Sequence, residues 1–553
     1  MHISHSEGSE ASGVYDVLVV GAGPVGLASA VQLATRGWRV GVVERWPQAY
    51  PLPRAVVFDH EVARILASLV DELPTLCEPA EDYVWRNGKG DLLLRLSFET
   101  TSHSGWPVMS SFTQPRLEAA LEARARALPG LDILRGWEAV DIDEDATSVR
   151  LTIAESAGDT PLMRDGVRRH RILQAAYLIG CDGANSFVRS RMGTSMTDLG
   201  FRYDWLVVDA IPHDRDRVWS PRNLQVCDPA RPSTVVSGGP GRRRWEFMRL
   251  PGEDLAELNR PETAWKFLEP WDLHPGNATL ERHTVYTFQA RWADAWRAGR
   301  LLLAGDAAHQ MPPFAGQGMC SGIRDAANLT WKLDLVMSGR ADADLLDTYT
   351  TERSQHLQYA IQMSMYLGRI ICEPDPVAAE ERDARLLAEQ ADPDAFLPQR
   401  SLTGGLLACD ATGAPVAPAG ELGPQGRVRH RGRTGLFDQT VGTGFTLLAT
   451  RDPREVLDED ALAWCEWIGI RLLRVTDDQA AQGPADVIDL DGTYLRYLAR
   501  TGQQALLTRP DHYVFGGAPG MAEVPRLVAV FRGLLSQEYD GARDVVTTGA
   551  RAM

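Results

Sequence analysis

Three closely spaced glycines, Gly21, Gly23 and Gly26, and an acid further on, Glu44, are the first residues of this chain whose type and position imply chemistry. Gly21 permits a sharp turn, Gly23 removes the side chain that would hold a pyrophosphate away from the backbone, and Gly26 lets the following helix pack close to the strand before it. A carboxylate roughly twenty residues past such a turn accepts hydrogen bonds from a ribose diol. A helix N-terminus offers free N–H groups and the positive end of its dipole, so a diphosphate needs neither metal nor lysine there. Pro24 and Val25 within the turn, and Arg45 just after the acid, complete the first candidate dinucleotide-binding set.

A second set lies in LLLAGDAAHQMPPFAGQGMCSGIRDAANLTWKLDL, from Leu301 to Leu335. Gly305 and Asp306 form a turn after an apolar run. Two prolines and three glycines then keep the loop stiff and nearly bare of side chains before a helix. Such a loop presents backbone N–H groups to a planar, electron-rich ligand and stabilises negative charge on it. A third set is YLIGCDGANSFVR, Tyr177 to Arg189, in which Asp182 can bind a ribose, cap the helix that follows or orient Arg189. Cys181 reads as a small buried residue, because no histidine or second cysteine accompanies it.

These residues need a scaffold. Val17–Val20 and Val40–Val43 read as parallel strands covered on both faces, joined by a helix that stops at Gly37. The three prolines of RWPQAYPLPRAVVF make a stiff loop, where Arg54 either pairs with the cofactor's pyrophosphate or lies on the surface. Gln114 precedes a helix led by Pro115, with its amide in reach of a ligand. From Leu206 to Glu281 apolar and alternating segments separated by Pro and Gly predict an antiparallel sheet. Tyr203, Trp205, Gln225, Trp245 and Phe247 are candidate pocket residues there by strand position, although aromatic stripes also form plain core. After about residue 400 a Gly- and Pro-rich stretch marks a boundary, followed by a small α/β domain without a catalytic constellation.

The chain has 553 residues, a net charge of −17, 44% hydrophobic and 24% charged residues, enough for two to four domains. The acidic balance argues against nucleic acid or an anionic membrane as partner. Seven scattered cysteines without a CxxC pair suit a reducing compartment, and no metal-ligand cluster is visible. Residues 1–13 read as a frayed polar tail, and no segment reads as a membrane span.

The three motifs, GAGPVG with Glu44, then GCDGANSFVR, then AGDAAHQMPPFAGQGMCSGIRDAANLTWKL along the chain, resemble the single-component FAD-dependent aromatic hydroxylases, in the branch that holds hydroxyphenylpropionate hydroxylase and phenol hydroxylase. The resemblance implies a Rossmann-like FAD-binding domain (14–80, 107–192 and 295–400), an interleaved antiparallel-sheet substrate domain of para-hydroxybenzoate hydroxylase type (81–106 and 193–294), and a thioredoxin-like C-terminal domain (401–545) without redox cysteines. It implies that Gly21, Gly23, Gly26 and Glu44 hold FAD, with Arg54 and Gln114 near the pyrophosphate and ribityl chain. Asp306 would bind the ribityl or pyrophosphate side, and the backbone of Gly318, Met319 and Cys320 would face the pyrimidine edge. Asp182 and Arg189 match a fingerprint associated with FAD and NAD(P)H, and Pro313 would border the reacting ring. His309 is either catalytic or structural beside Asp306.

The family chemistry is reduction of the flavin by NADH or NADPH, addition of O2 at its C4a carbon and transfer of OH from the hydroperoxide to an electron-rich ring, without a metal. The expected partner is a small aromatic molecule, with a homodimer as a further expectation and the cytoplasm as location. An oxygenase acting on a non-phenolic polyketide, or a non-catalytic flavin-binding protein, would carry the same cofactor motifs.

Overall fold

The computed structural model describes residues 13–98, 101–156, 168–389 and 401–535. The expected tail lies outside them through residue 12. The chain forms two compact units: Met1–Ser102, Trp106–Ala326 and Leu357–Pro398 make the first, and His103–Gly105, Ala327–His356 and Gln399–Met553 the second. The boundary expected near residue 400 is thus one of several crossings between units, and two others fall inside helices, after Ala326 and after His356.

The first unit is built on a six-stranded sheet in the order Arg297–Ala298, Leu301–Leu303, Tyr177–Gly180, Val17–Val20, Val40–Glu44 and Leu131–Arg135. All neighbours run parallel except the short first strand. Val17–Val20 and Leu301–Leu303 are buried throughout, as unbroken aliphatic runs require in a sheet covered on both faces. Helix Pro24–Thr35 makes the crossover between Val17–Val20 and Val40–Glu44, with Pro24 at its first position and Gly37 left-handed (φ +90°) just past its end.

An eight-stranded sheet lies in the same unit, in the order His309–Gln310, Ala278–Ala293, Met196–Pro212, Arg243–Met248, Ser233–Ser237, Asn223–Cys227, Tyr83–Asn87 and Leu92–Leu96. Its pairs are antiparallel apart from Asn223–Cys227 with Tyr83–Asn87. Alternation divides its residues between two faces. Leu206, Val208, Leu224, Val235, Trp245 and Phe247 point to one face and form a core that includes Leu258, Ala264 and Leu268 of helices Leu255–Leu258 and Pro261–Leu268.

The second unit holds a seven-stranded mixed sheet, in the order Arg433–Leu436, Arg427–His430, Asp486–Asp489, Arg471–Thr476, Thr446–Ala449, Ala505–Thr508 and Val514–Ala518. One face packs on helices Glu459–Ile468 and Val524–Leu535 through Trp464, Phe531 and Phe515. A fully buried ionic cluster sits in this unit. The Arg509 guanidinium donates to both Glu352 oxygens (2.9 and 2.6 Å) and to Asp511, Lys332 Nζ donates to Glu352 Oε2 at 2.9 Å, and Asn328 bridges both acids. Removing one member of such a buried set strands the opposite charge in a medium of low polarity, which costs about 3–5 kcal/mol. Arg509→Met is therefore expected to lower unfolding free energy by that amount in a denaturant titration, against a small change for the exposed Arg500→Met.

Candidate active site

Four loops leave the carboxyl ends of four adjacent parallel strands, the edge at which open α/β sheets bind ligands. Glycines let three of these loops approach one another. A Cβ on Gly21 (φ +106°) would lie 2.3 Å from the Cys181 carbonyl oxygen, and one on Gly26 2.0 Å from the Gly21 carbonyl oxygen. Gly305 (φ +63°) packs on Val25, and Gly322 would put a Cβ 2.5 Å from the same Val25 side chain. Gly23 and Gly318 are different, because a Cβ on either meets nothing within 4 Å. Their bare backbone borders open space at the start of a helix, a cradle that a phosphate or a planar ring system can enter.

The polar residues divide into those that hold the loops and those left facing outward. Glu44 accepts from the backbone N–H of Ala22 (2.8 Å) and Trp46 (2.9 Å), fixing the glycine turn to the end of the next strand. Arg45 and Arg54 are exposed, their guanidiniums 5.3 and 5.4 Å from the rings of Trp46 and Tyr50. Gln114 is buried, and its amide serves the protein: Oε1 accepts from the N–H groups of Arg54 and Ala55, and Nε2 donates to Glu118. It sets the position of the Arg54 loop. Of the three roles open to Asp182, the structure shows capping, since its carboxylate accepts from Ser186 Oγ (2.5 Å) and Val188 N–H (3.1 Å). Burial pushes that carboxyl up. Arg189 donates to the carbonyls of Ala184 and Ala307, both at 2.7 Å, and so ties the Asp182 turn to the Gly305 turn. Cys181 and Cys320 are thiols whose burial raises them further from ionisation.

Asp306 is exposed, with no side-chain hydrogen bond to any described residue, at the head of the Gly305–Ala307 turn. His309 is buried and differs from expectation in its partner. Its Nε2 lies 2.6 Å from Asp325 Oδ2, and the same carboxylate oxygen accepts from Gly305 N–H at 3.0 Å. An ionised carboxylate at that distance requires the proton on Nε2. The Asp325 pair thus clamps the turn to the short edge strand His309–Gln310, which joins the eight-stranded sheet through Arg291 and Trp292. Pro313 is exposed at the start of the turn Pro313–Ala315.

A second buried cluster holds the helix that begins at Gly318. Arg324 donates to Glu61, Asp59 and Gln317, and Gln317 in turn donates to Asp59. Asp59 also caps helix His60–Ala67 through Val62 N–H. Burial alone would raise the Asp59 carboxyl, but the Arg324 charge with its hydrogen bond outweighs it and holds the group at about 2.

The five pocket candidates are not together. Tyr203, Trp205 and Gln225 lie on one face of the eight-stranded sheet, and Trp245 and Phe247 on the other, packed by Trp219, Trp271 and Phe267 in the apolar core. The last two are core residues rather than pocket wall. On the first face Trp205 stacks on Phe288 (6.0 Å between centroids) and meets Phe314 edge-on at 5.5 Å, while Phe201 bridges Tyr203 and Phe314. Gly368 leaves the space that Phe201 and Phe314 fill. The aromatic face therefore abuts the Pro313 turn.

The FAD binding domain family matches residues 14–364, well over half of the chain, across all three motifs. The chain belongs to the FAD-dependent aromatic hydroxylases. The hydroxylase is 37% identical over 522 residues to the "Probable NADH-specific resorcinol 4-hydroxylase" of Rhodococcus jostii (strain RHA1), covering 93% of both chains. It is 35% identical over 520 residues to the 3-(3-hydroxy-phenyl)propionate/3-hydroxycinnamic acid hydroxylase of Mycobacterium sp. (strain JLS), covering 91% of this chain and 89% of the other. Aklavinone-11 hydroxylase, solved with FAD and aklavinone, superposes with a TM-score of 0.73 at 25% identity, covering 96% of this chain and all of that one. The monooxygenase PieE shares the fold, with a TM-score of 0.76 at 22% identity over 95% and 99% of the two chains. Residues 420–532 match the HcaD C-terminal domain family.

Sequence reasoning passed over Asp325, Gly322, Arg324 and Glu246. The first three lie inside the stretch Leu301 to Leu335, where spacing along the sequence does not reveal their partners. Glu246 stands between Trp245 and Phe247, and strand alternation was enough to place it on the face opposite to them.

Asp59 yields a test of the anchoring cluster. Its depressed carboxyl contributes stability that is present above the unfolded value of 3.8 and is lost as pH falls through about 2. Arg324→Met is expected to lower stability by about 3–5 kcal/mol, and to move acid unfolding to higher pH. Circular dichroism across an acid titration measures both.

Proposed function

We propose that this hydroxylase inserts one oxygen atom from O2 into the ring of a small phenol or related electron-rich aromatic, with NADH or NADPH as reductant. The observation that supports it is the adjacency of two features in one unit: a bare glycine cradle at the strand ends, and an aromatic sheet face that meets the Pro313–Phe314 turn. The residues fit FAD. In this reading the turn Gly21, Gly23, Pro24, Val25 and Gly26 receives the pyrophosphate on backbone N–H groups, and Glu44 accepts from the adenosine ribose while holding the turn. The exposed Asp306 accepts from ribityl hydroxyls, Arg54 pairs with phosphate charge, and the first amides of the helix at Gly318, Met319 and Cys320 stabilise electron density on the ring edge. Asp182, Arg189 and Gln114 act through the loops they brace. Bound FAD supplies the electron transfer from nicotinamide and the activation of oxygen.

The chain's own part is to bind, orient and keep water out. Pro313 borders the reacting ring, and Trp205, Phe288 and Phe314 form an apolar wall, since water reaching the activated oxygen would waste reductant. His309 keeps the turn in place through Asp325 and is a positioning residue. The relative specific for NADH favours that reductant here. The second unit is read as thioredoxin-like in its strand and helix arrangement and as a structural or dimer-forming element. The cysteines are free, and those of this unit are the exposed Cys409 and the buried Cys465. Among the described residues no helix is long and apolar enough to cross a membrane and no His, Cys and acid group could hold a metal ion. Free thiols suit a cytoplasmic location.

The purified protein is expected to carry FAD and to oxidise NADH faster when a phenol is added, with a product heavier by one oxygen. Gly23→Val, which adds side chain only to open space, is expected to fold with unchanged circular dichroism and to lose FAD, whereas Gly26→Val collides with the Gly21 carbonyl and is expected not to fold. A Gly23→Val protein with full flavin content would contradict the assignment of the cradle.

A further inference from the structure

One acid on the aromatic face takes no part in the contacts that brace the loops. Glu246 lies at the middle of strand Arg243–Met248, and its side chain is 8% exposed. No described residue donates a hydrogen bond to it, and the nearest cation, Arg244 Nη1, is 4.0 Å away. Buried carboxylates are almost always hydrogen-bonded, because leaving one bare forfeits its solvation without return.

Its place on the strand is bracketed on both sides. Two residues before it, Arg244 is paired with Asp209 and donates to the carbonyls of Pro53 and Arg54, on the loop that follows Glu44. Two residues after it, Met248 stands opposite Trp205, which touches Phe314 of the Pro313 turn. Glu246 therefore lies on the strand between a residue that reaches the Arg54 loop and one that stands opposite the wall of the Pro313 turn. Across the face lies Tyr83, whose hydroxyl accepts from Gln225 Nε2, while Gln225 Oε1 accepts from Thr234 at 2.6 Å. That arrangement leaves the Tyr83 proton free to donate.

A bare acceptor and an unspent donor on one sheet face suit a group that both donates and accepts, which is a hydroxyl. A substrate carboxylate only accepts, and it would face Glu246 as a like charge. Arg244 is taken by Asp209, whereas Arg282 donates to the Pro53 carbonyl and lies over Tyr286 but leaves its buried Nε, 3.8 Å from Asp209, without a hydrogen bond; the like charge of Glu246 is therefore what weighs against a carboxylate.

We propose that Glu246 accepts the hydrogen bond of the substrate's ring hydroxyl, with Tyr83 as the matching donor, and that the site consequently prefers an uncharged phenol to an aromatic acid. This rests on the reading of the site as that of a phenol hydroxylase. Accepting from the hydroxyl shifts electron density into the ring and so favours attack by electrophilic oxygen. Burial raises the Glu246 carboxyl to about 6, with Arg244 and Arg282 lowering it and Asp209 raising it. Arg244 shares its strand, Asp209 faces it from Met196–Pro212, Arg282 from Ala278–Ala293 and Tyr83 from Tyr83–Asn87. The acid is thus ionised and able to accept at neutral pH.

The test uses the FAD-loaded full chain with 1,3-dihydroxybenzene and 3-(3-hydroxyphenyl)propionate as neutral and anionic probes, binding being measured by calorimetry. In the wild type the neutral probe is expected to bind more tightly. Glu246→Gln, with flavin content checked, is expected to weaken the neutral probe by about 10–100-fold, the worth of a hydrogen bond to a charged group, while leaving the anionic probe unchanged or tighter. Wild-type affinity for the neutral probe should fall towards that of the variant as pH drops through about 6, and the variant's should stay constant. A neutral-probe affinity within twofold of wild type in the variant, tighter wild-type binding of the acid, or a flat wild-type profile across pH 5 to 8 overturns the proposal; the profile decides if the variant does not fold. Failure of every phenol to stimulate NADH oxidation in the wild type would instead refute the proposed function.

Discussion

The absence of a Cβ at a few strand-end positions is the constraint on which the first unit depends. Gly21 meets the Cys181 carbonyl, Gly26 meets the Gly21 carbonyl and Gly322 closes on Val25 at separations that no side chain tolerates, and Gly305 packs on the same Val25 with a positive φ that favours glycine. Because of these contacts three loops far apart in sequence become one surface. Gly23 and Gly318 are not needed for that packing, and their bareness is directed at open space instead. Close packing and ligand access are thus separable demands met by the same residue type.

Buried charge does the remaining positioning. Arg324 with Asp59 and Glu61 seats the helix that begins at Gly318, Asp325 joins the Gly305 turn to His309, and Arg244 with Asp209 holds the loop at Pro53 and Arg54. The Arg324 and Arg244 sets satisfy their own hydrogen bonds, which is what makes buried ions tolerable, while His309 leaves its Nδ1 without a partner. Glu246 is the exception on the sheet face, and an unmatched acid among matched ones points outward to a ligand.

The nucleotide half of this organisation was legible in the sequence because its signals are local. The apolar run Val17–Val20, the glycine turn, the stop at Gly37 and the second strand ending at Glu44 lie within thirty residues of one another. The antiparallel sheet was legible from alternation as well, but its faces were not assigned. Strand position puts Trp245 and Phe247 in one candidate set with Trp205, but alternation along Arg243–Met248 and its register with Met196–Pro212 set them on opposite sides. Position in the sequence suggests a ligand-side partner for Gln114 and Asp306 as the neighbour of His309. Their actual partners, the N–H groups of Arg54 and Ala55 and the carboxylate of Asp325, depend on long-range packing that residue spacing does not encode.

The central claim is that separate loops of one unit close around a single FAD. Hydrogen–deuterium exchange of the apoprotein with and without FAD tests it most directly. Simultaneous protection of the glycine turn, the loop after Glu44, the Gly305–Asp306 turn and the first turn of the helix at Gly318 is the expected result. Protection confined to the glycine turn, or none anywhere, would contradict it.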